Sequence, residues 1–360
     1  KGLQIQYPEW TSLRSEPVAY ALTQINNRTI KAKFVIHSPF LYDAEIHGVA
    51  AQGNPFGDFA IQHVQFLFGT SGDVTFNVIF PAAHNIGQVL ATWNWQYRRN
   101  ATDTWKNMGS TTHTIYLLQN LPVAPWSQAL NQKELWPWSD ALKLSSAWLP
   151  AVLPATTANL AAQFTTGIIN SGLNYYGCGS QYINAPACDT FKLSSVIQNI
   201  QLTGILNVTL ECSDCAFLLT VISRLWGTNI PLNPVLFQDT NNKVKTSFLT
   251  AIGYSPASIS NWNTHEWGYH VIARNGIGQT SSVYDCCLRL KGDNDPWTMP
   301  ATPPPAIIPG GTGTPMVQGV LTLQNLNVPY PIMTDYYDRL FDNNKRTSIN
   351  ETVYTITNIE

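Results

Sequence analysis

In the run ECSDCAFLLTVISRLWG, Cys212 stands where an apolar helix begins, and Gly227 ends it. A cysteine at a helix N-terminus feels the positive end of the helix dipole, which favours thiolate over thiol. Thiolate is the reactive nucleophile, so this placement suits covalent catalysis. About 58 residues downstream the strand-like GYHVIA carries His270, and a turn at NGIGQ leads to SSVYDCCLRL with Asp285. Antiparallel strands joined by that turn put the imidazole and the carboxylate on one face. The imidazole can then take the thiol proton, while the carboxylate fixes its tautomer and supports the imidazolium.

Two residues compete for these roles. His265, in His265-Glu-Trp267, lies 20 residues before Asp285 where His270 lies 15 before it. The tighter hairpin and the strand-like surroundings favour His270. Cys215 is one turn along from Cys212; it faces the helix body, with Cys286 and Cys287 as neighbours to pack on or pair with. A zinc site from Cys212, Cys215, Cys286 and Cys287 is the metal alternative, but adjacent cysteines on a strand point to opposite faces. No metal or other cofactor is expected. GGTGTP lacks the lysine and the strand-to-helix context of a phosphate loop.

Cys212-Ser-Asp214-Cys-Ala216, with Leu218, Leu219, Arg224 and Gly227, resembles the nucleophile helix of transglutaminase-like proteins, C-x-D-x-A followed by an apolar helix ending R-x-x-G. GYHVIA and VYDCCL are similar to that family's histidine and aspartate strands. The resemblance covers about residues 130 to 300. It implies Cys212 as nucleophile, His270 as general base and Asp285 as orienting carboxylate.

The elements around this core change character along the chain. Residues 1 to about 125 are rich in short β-branched and aromatic segments separated by turns such as GNPFGD and TSGD, which predicts an all-β sandwich. In QVLATWNWQY the residues Val89, Ala91, Trp93 and Trp95 share one strand face. Trp93, Trp95 and Trp105 are either core aromatics or a sugar-binding face, and the core is the preferred assignment. After the joint LPVAPW the pattern turns helical, with one helix in WPWSDALKLSSAWL and a second over 156–170. SSVIQNIQLTGIL leads towards Cys212, and strands return from 261 onward. PATPPPAIIPGGTGTP is too rich in Pro and Gly for regular structure, and the tail offers YYDRLF and the strand-like TVYTITNI. The expected fold class is therefore α+β. A β-sandwich over 1–125 precedes a transglutaminase-like core over 126–299 and a Pro/Gly-rich arm with C-terminal segment over 300–360.

Charged residues make up 12% of the 360, about half the usual share of a soluble domain. The formal net charge of −2 offers no basic field for nucleic acid. No apolar run is long enough to span a bilayer. KGLQIQYPEW has no signal-peptide pattern, so a secreted form would have lost its leader. Four N-x-[ST] sequons, at Asn27, Asn100, Asn207 and Asn350, join a loop bracketed by Cys178 and Cys188 that suits a short disulfide. With the low charge they point to an extracellular protein. Cysteine-dependent acyl transfer on an amide of a protein or peptide substrate is the leading expectation. Peptidase, amidase, deamidase and transglutaminase share its first step. The alternative is a non-enzymatic extracellular glycoprotein that uses a transglutaminase-like fold as scaffold and self-associates through an arm.

Overall fold

The computed structural model describes residues 11, 15–24, 28–37, 41–80, 85–126, 138–155, 159–177, 179–228, 231–239, 244–275, 282–292, 298–308, 336, 340 and 349–360. The chain is α+β and divides into two compact units. Of the described residues, those up to Asn120 together with the stretch from Val152 form the N-terminal unit, and those of Leu121–Ala151 and Asn159–Glu360 form the C-terminal unit.

The N-terminal unit is built on a six-stranded sheet in the order Val18–Ala21, Lys106–Leu118, Gly87–Arg98, Tyr42–Ala50, Gln62–Leu67, Thr70–Ser71. The first pair is parallel and the others antiparallel. Thr29–Ala32 and Val74–Asn77 form a second, two-stranded antiparallel sheet. Alternation along Gly87–Arg98 sends Ala91, Trp93 and Trp95 inward, where they meet Phe56, Phe59, Phe66 and Phe76. Phe59 stacks on both tryptophans, at 4.7 and 5.6 Å between ring centroids. Gly48 permits this packing, because a Cβ there would lie 2.8 Å from the Phe59 ring. Trp93 and Trp95 are thus core. Trp105 is half-buried, stacked on His47 at 3.9 Å, with the Arg98 guanidinium over its ring at 4.5 Å.

Among the described residues the C-terminal unit has the α-helices α1 (Ser139–Ser146), α2 (Leu160–Ile169), α3 (Leu193–Thr203) and α4 (Cys212–Leu225). α4 is apolar nearly all round, and every residue from Cys212 to Ser223 is buried. It packs on the strand His270–Arg274 and on Asn233–Asp239. Those strands belong to a four-stranded sheet in the order Val283–Tyr284, His270–Arg274, Asn233–Asp239, Ile349–Val353. The C-terminal segment therefore adds its strand to this chain's own sheet. Arg274 reinforces it with an ion pair to Glu351 at 2.6 Å. Arg224 closes α4 by donating to the carbonyls of Ala124 and Leu232 and to Asn233 Oδ1, and Gly227 turns the chain at φ +65°.

Two sequence expectations need correction. Residues 193–203, read as a lead-in to Cys212, form α3. The segment SSVYDCCLRL is not one strand. Val283–Tyr284 pairs with the histidine strand, but Leu288–Lys291 pairs with Leu249–Ala251 in another sheet. The break falls at Asp285, whose Oδ1 accepts the N–H groups of Cys287 and Leu288 at 2.8 and 3.2 Å and so turns the chain.

Candidate active site

The site begins with the cap of α4. The Glu211 side chain accepts the Ser213 N–H at 3.1 Å, and the Asp214 carboxylate reaches back to the Glu211 N–H at 3.3 Å, a capping box. Asp214 also accepts from Ser180 Oγ at 2.6 Å and from the backbone of Gln181 and Tyr182. The aspartate of the C-x-D-x-A run thus ties the first helical turn to the 180–182 segment. Burial pushes its carboxyl above the usual range despite those donors.

Cys212 donates its thiol hydrogen to Glu211 Oε2 at 3.3 Å. Burial, and then the adjacent Glu211 charge, hold this thiol well above the ordinary cysteine range; a hydrogen bond from the Val271 backbone acts the other way. Val271 follows His270, so the nucleophile candidate lies against the histidine strand.

His270 is fully buried, with Nε2 2.9 Å from Asp285 Oδ2. Pairing of Ala273 with Tyr284 sets Asp285 next in line with Ile272, on the same strand face as His270 two residues away. A carboxylate only accepts, so Nε2 is the donor, and Nδ1 is the lone-pair nitrogen of the neutral ring. Nδ1 is buried with no hydrogen-bond partner, an arrangement that costs about 1–3 kcal/mol in general. Trp267 stacks on the imidazole at 5.2 Å. Asp285 is saturated: beyond His270 and the two backbone N–H groups, Oδ2 accepts the Tyr336 hydroxyl at 2.8 Å.

The competing residues lie elsewhere. His265 stacks on Trp267 at 5.3 Å, its backbone N–H bonds Thr246 Oγ1, and burial lowers its imidazole. Cys286 Sγ donates to the Cys215 carbonyl at 3.2 Å, and the Cys286 and Cys287 thiols bond the Cys215 sulfur, which lowers the Cys215 thiol. All three are buried and free. The alternative zinc set does not assemble, since Cys212 turns to Glu211; among the described residues no group of three or more His, Cys, Asp or Glu is placed to hold a metal.

Beside the cap lies a cavity of about 330 Å³, lined by Ser180, Asn184, Cys188, Ser213, Gln238, Tyr269 and Tyr354 among others. Tyr269 donates to Glu211 Oε2 at 3.3 Å, so the wall of the cavity bonds the same carboxylate as the thiol. Glu211, Tyr269 and Tyr336 were absent from the sequence-based site. An acid directly before the nucleophile was a readable signal for Glu211; nothing in the sequence linked Tyr336 to Asp285. Cys188 is a free, half-buried thiol with φ +50°, and Cys178 lies outside the described residues. Of the sequon residues, Asn100, Asn207 and Asn350 are exposed and Asn27 lies outside the described residues.

No protein-family model and no curated protein matches this chain. Among solved structures it is similar to the crystal structure of red sea bream transglutaminase, with a TM-score of 0.34 and 12% identity. The match covers 76% of this chain and 49% of that one, so the chain spans about half the length of the enzyme it matches. The chemistry of the site therefore rests on its own geometry. Among the described residues no helix is long and apolar enough to cross a membrane.

Proposed function

We propose that this protein performs cysteine-dependent acyl transfer on amide bonds through a thioester at Cys212, on a transglutaminase-like core preceded by a β-sandwich. The observation that carries the reading is the buried His270–Asp285 pair at 2.9 Å, with a free Nδ1, on the strand against which the helix opened by Cys212 packs. His270 Nδ1 takes the thiol proton as the sulfur attacks the amide carbon. The carbon–nitrogen bond breaks, and the imidazolium returns that proton to the leaving nitrogen. Water, or an amine, then attacks the thioester and frees the thiol. The Cys212 backbone N–H, in the first turn of α4, is a donor for the developing oxyanion. Asp285 holds the ring in the required tautomer. The exposed sequons at Asn100, Asn207 and Asn350 support an extracellular setting.

One observation favours a second reading, a non-enzymatic scaffold. Cys212 is only 4% exposed and His270 0%, so substrate has no open path to the sulfur in this state. Acyl transfer to hydroxylamine decides between the two. Native protein incubated with amide-bearing peptides and hydroxylamine should release a hydroxamate, and Cys212→Ser or His270→Ala should abolish that product. Hydroxamate no higher than the Cys212→Ser background sinks the enzyme reading, whatever the rate of Cys212 alkylation.

A further inference from the structure

The thiol hydrogen of Cys212 is committed to Glu211, while the nitrogen that should receive it has no partner. We propose that Glu211 is a positioning residue that parks the Cys212 S–H on its Oε2, away from His270 Nδ1, so that the site rests in a latent form. The inference rests on the acyl-transfer reading above.

Glu211 is fixed for this role from three directions. The Ser213 N–H holds Oε1 at 3.1 Å, the Tyr269 hydroxyl meets Oε2 at 3.3 Å, and its own N–H is bound by Asp214. The carboxylate therefore stays where the thiol finds it. A thiolate formed beside it would face a like charge at van der Waals distance, so the carboxylate opposes ionisation as well as diverting the proton. Tyr175, Tyr269, Tyr354, Cys188, Cys215 and Cys287 interact electrostatically with the pair, and none of these is a cation. His270 and Asp285 complete the surroundings on the strand side.

Loss of the Glu211 contact would free the Cys212 S–H for transfer to Nδ1. The cavity gives a means. Its walls include Ser213 and Tyr269, two of the residues bonded to Glu211, and its polar lining of Ser180, Asn184 and Gln238 is uncharged. A neutral, hydrogen-bonding group entering there would compete directly for the Tyr269 hydroxyl.

The test is the pH profile of Cys212 alkylation in the native protein, followed by peptide mass spectrometry from pH 6 to 10. Glu211→Gln should raise the rate at pH 7 tenfold or more and move the midpoint down by a unit or more. Glu211→Ser, which keeps a good helix cap, should do the same. Adding His270→Ala to Glu211→Gln should remove the gain. Unchanged profiles in both Glu211 variants, with His270→Ala still slowing the wild type, overturn the parking role and leave the thiol chemistry standing. If His270→Ala changes neither background, both readings fall. Should the Glu211 variants fail to fold by circular dichroism, Tyr269→Phe decides: a threefold rise at pH 7 supports parking, and an unmoved profile overturns it.

Discussion

The two units close their interiors with opposite materials. The N-terminal unit fills its core with Phe34, Phe56, Phe59, Phe66, Phe76, Trp93 and Trp95, and its buried acid, Glu45, meets Arg98 at 2.5 Å. The C-terminal unit buries Glu211, Asp214, His270, Arg274, Asp285 and Lys291 as well as its apolar residues. Apolar rings leave water favourably, whereas buried charges need partners to offset several kcal/mol each, on the order of the whole stability of a domain. Asp214 and Asp285 each have four donors for that purpose. Among the described residues His270 Nδ1 is a buried nitrogen left without a partner, in the same unit as the unpaired hydroxyls of Thr220, Ser223 and Thr250. Such concentrated and expensive polarity agrees with the chemistry proposed above, whereas the aromatic core is built of packing contacts.

The sharpest way to break this contrast is Asp285→Asn. The amide preserves shape but offers an N–H to His270 Nε2 or forces the other tautomer, so the base faces the thiol with the wrong nitrogen state. In the Glu211→Gln background the His270-dependent part of Cys212 alkylation should fall about tenfold or more, and no further than in His270→Ala. A drop below tenfold would reduce Asp285 to a turn-former for the 285–288 bend. Trp95→Ala probes the other side. Truncating a tryptophan stacked on Phe59 and edge-on to Phe34 and Phe76 should cost about 3–5 kcal/mol by denaturant melting. In the folded fraction, the order of cysteine alkylation should not change. If it does, the aromatic core does more than pack.

Tyr336→Phe should have a smaller effect. It removes one of four donors to Asp285 while His270 and two backbone N–H groups remain. A loss of about 0.5–1.5 kcal/mol is expected for a hydrogen bond of this kind, together with less than tenfold slowing of alkylation. A much larger rate effect, at unchanged stability, would place Tyr336 beside Asp285 in orienting the ring.

How far the sequence revealed these arrangements depends on the range of the interaction. The start of α4 was legible because Cys212 opens an apolar run with an acid on each side of its first turn. The inward face of Gly87–Arg98 was legible because its alternation is local. The pairing of His270 with Asp285 followed from a short hairpin. α3 was missed: its buried Leu193, Val196 and Ile197 do keep helical spacing, but β-branched residues lower its helix preference and Lys192 supplies no side-chain cap. The strand break at 285 was hidden because nothing in VYDCCL says that Asp285 will bond its own backbone. Glu211 and Asp214 both read as favourable acids at a helix start; which one takes the thiol hydrogen is decided by contacts with Ser180, Gln181, Tyr182 and Tyr269, 30 to 60 residues away.

Trp105→Ala tests the comparison at its margin. Trp105 is a tryptophan of the N-terminal unit outside that core, lying half-buried against His47 and Arg98. Arg98 is already bound to Glu45 and to the Ala101 carbonyl, and His47 to Gln96, so the ring adds a stack and a cation–π contact to groups held by other means. Its loss should cost about 0.5–1 kcal/mol, the value of an exposed cation–π contact, and should leave Cys212 alkylation unmoved. A glycan-array screen of the wild type against Trp105→Ala sharpens the point. Equal, background-level signals fit an aromatic that only clamps a loop, whereas binding lost with Trp105 would give the N-terminal unit a ligand of its own.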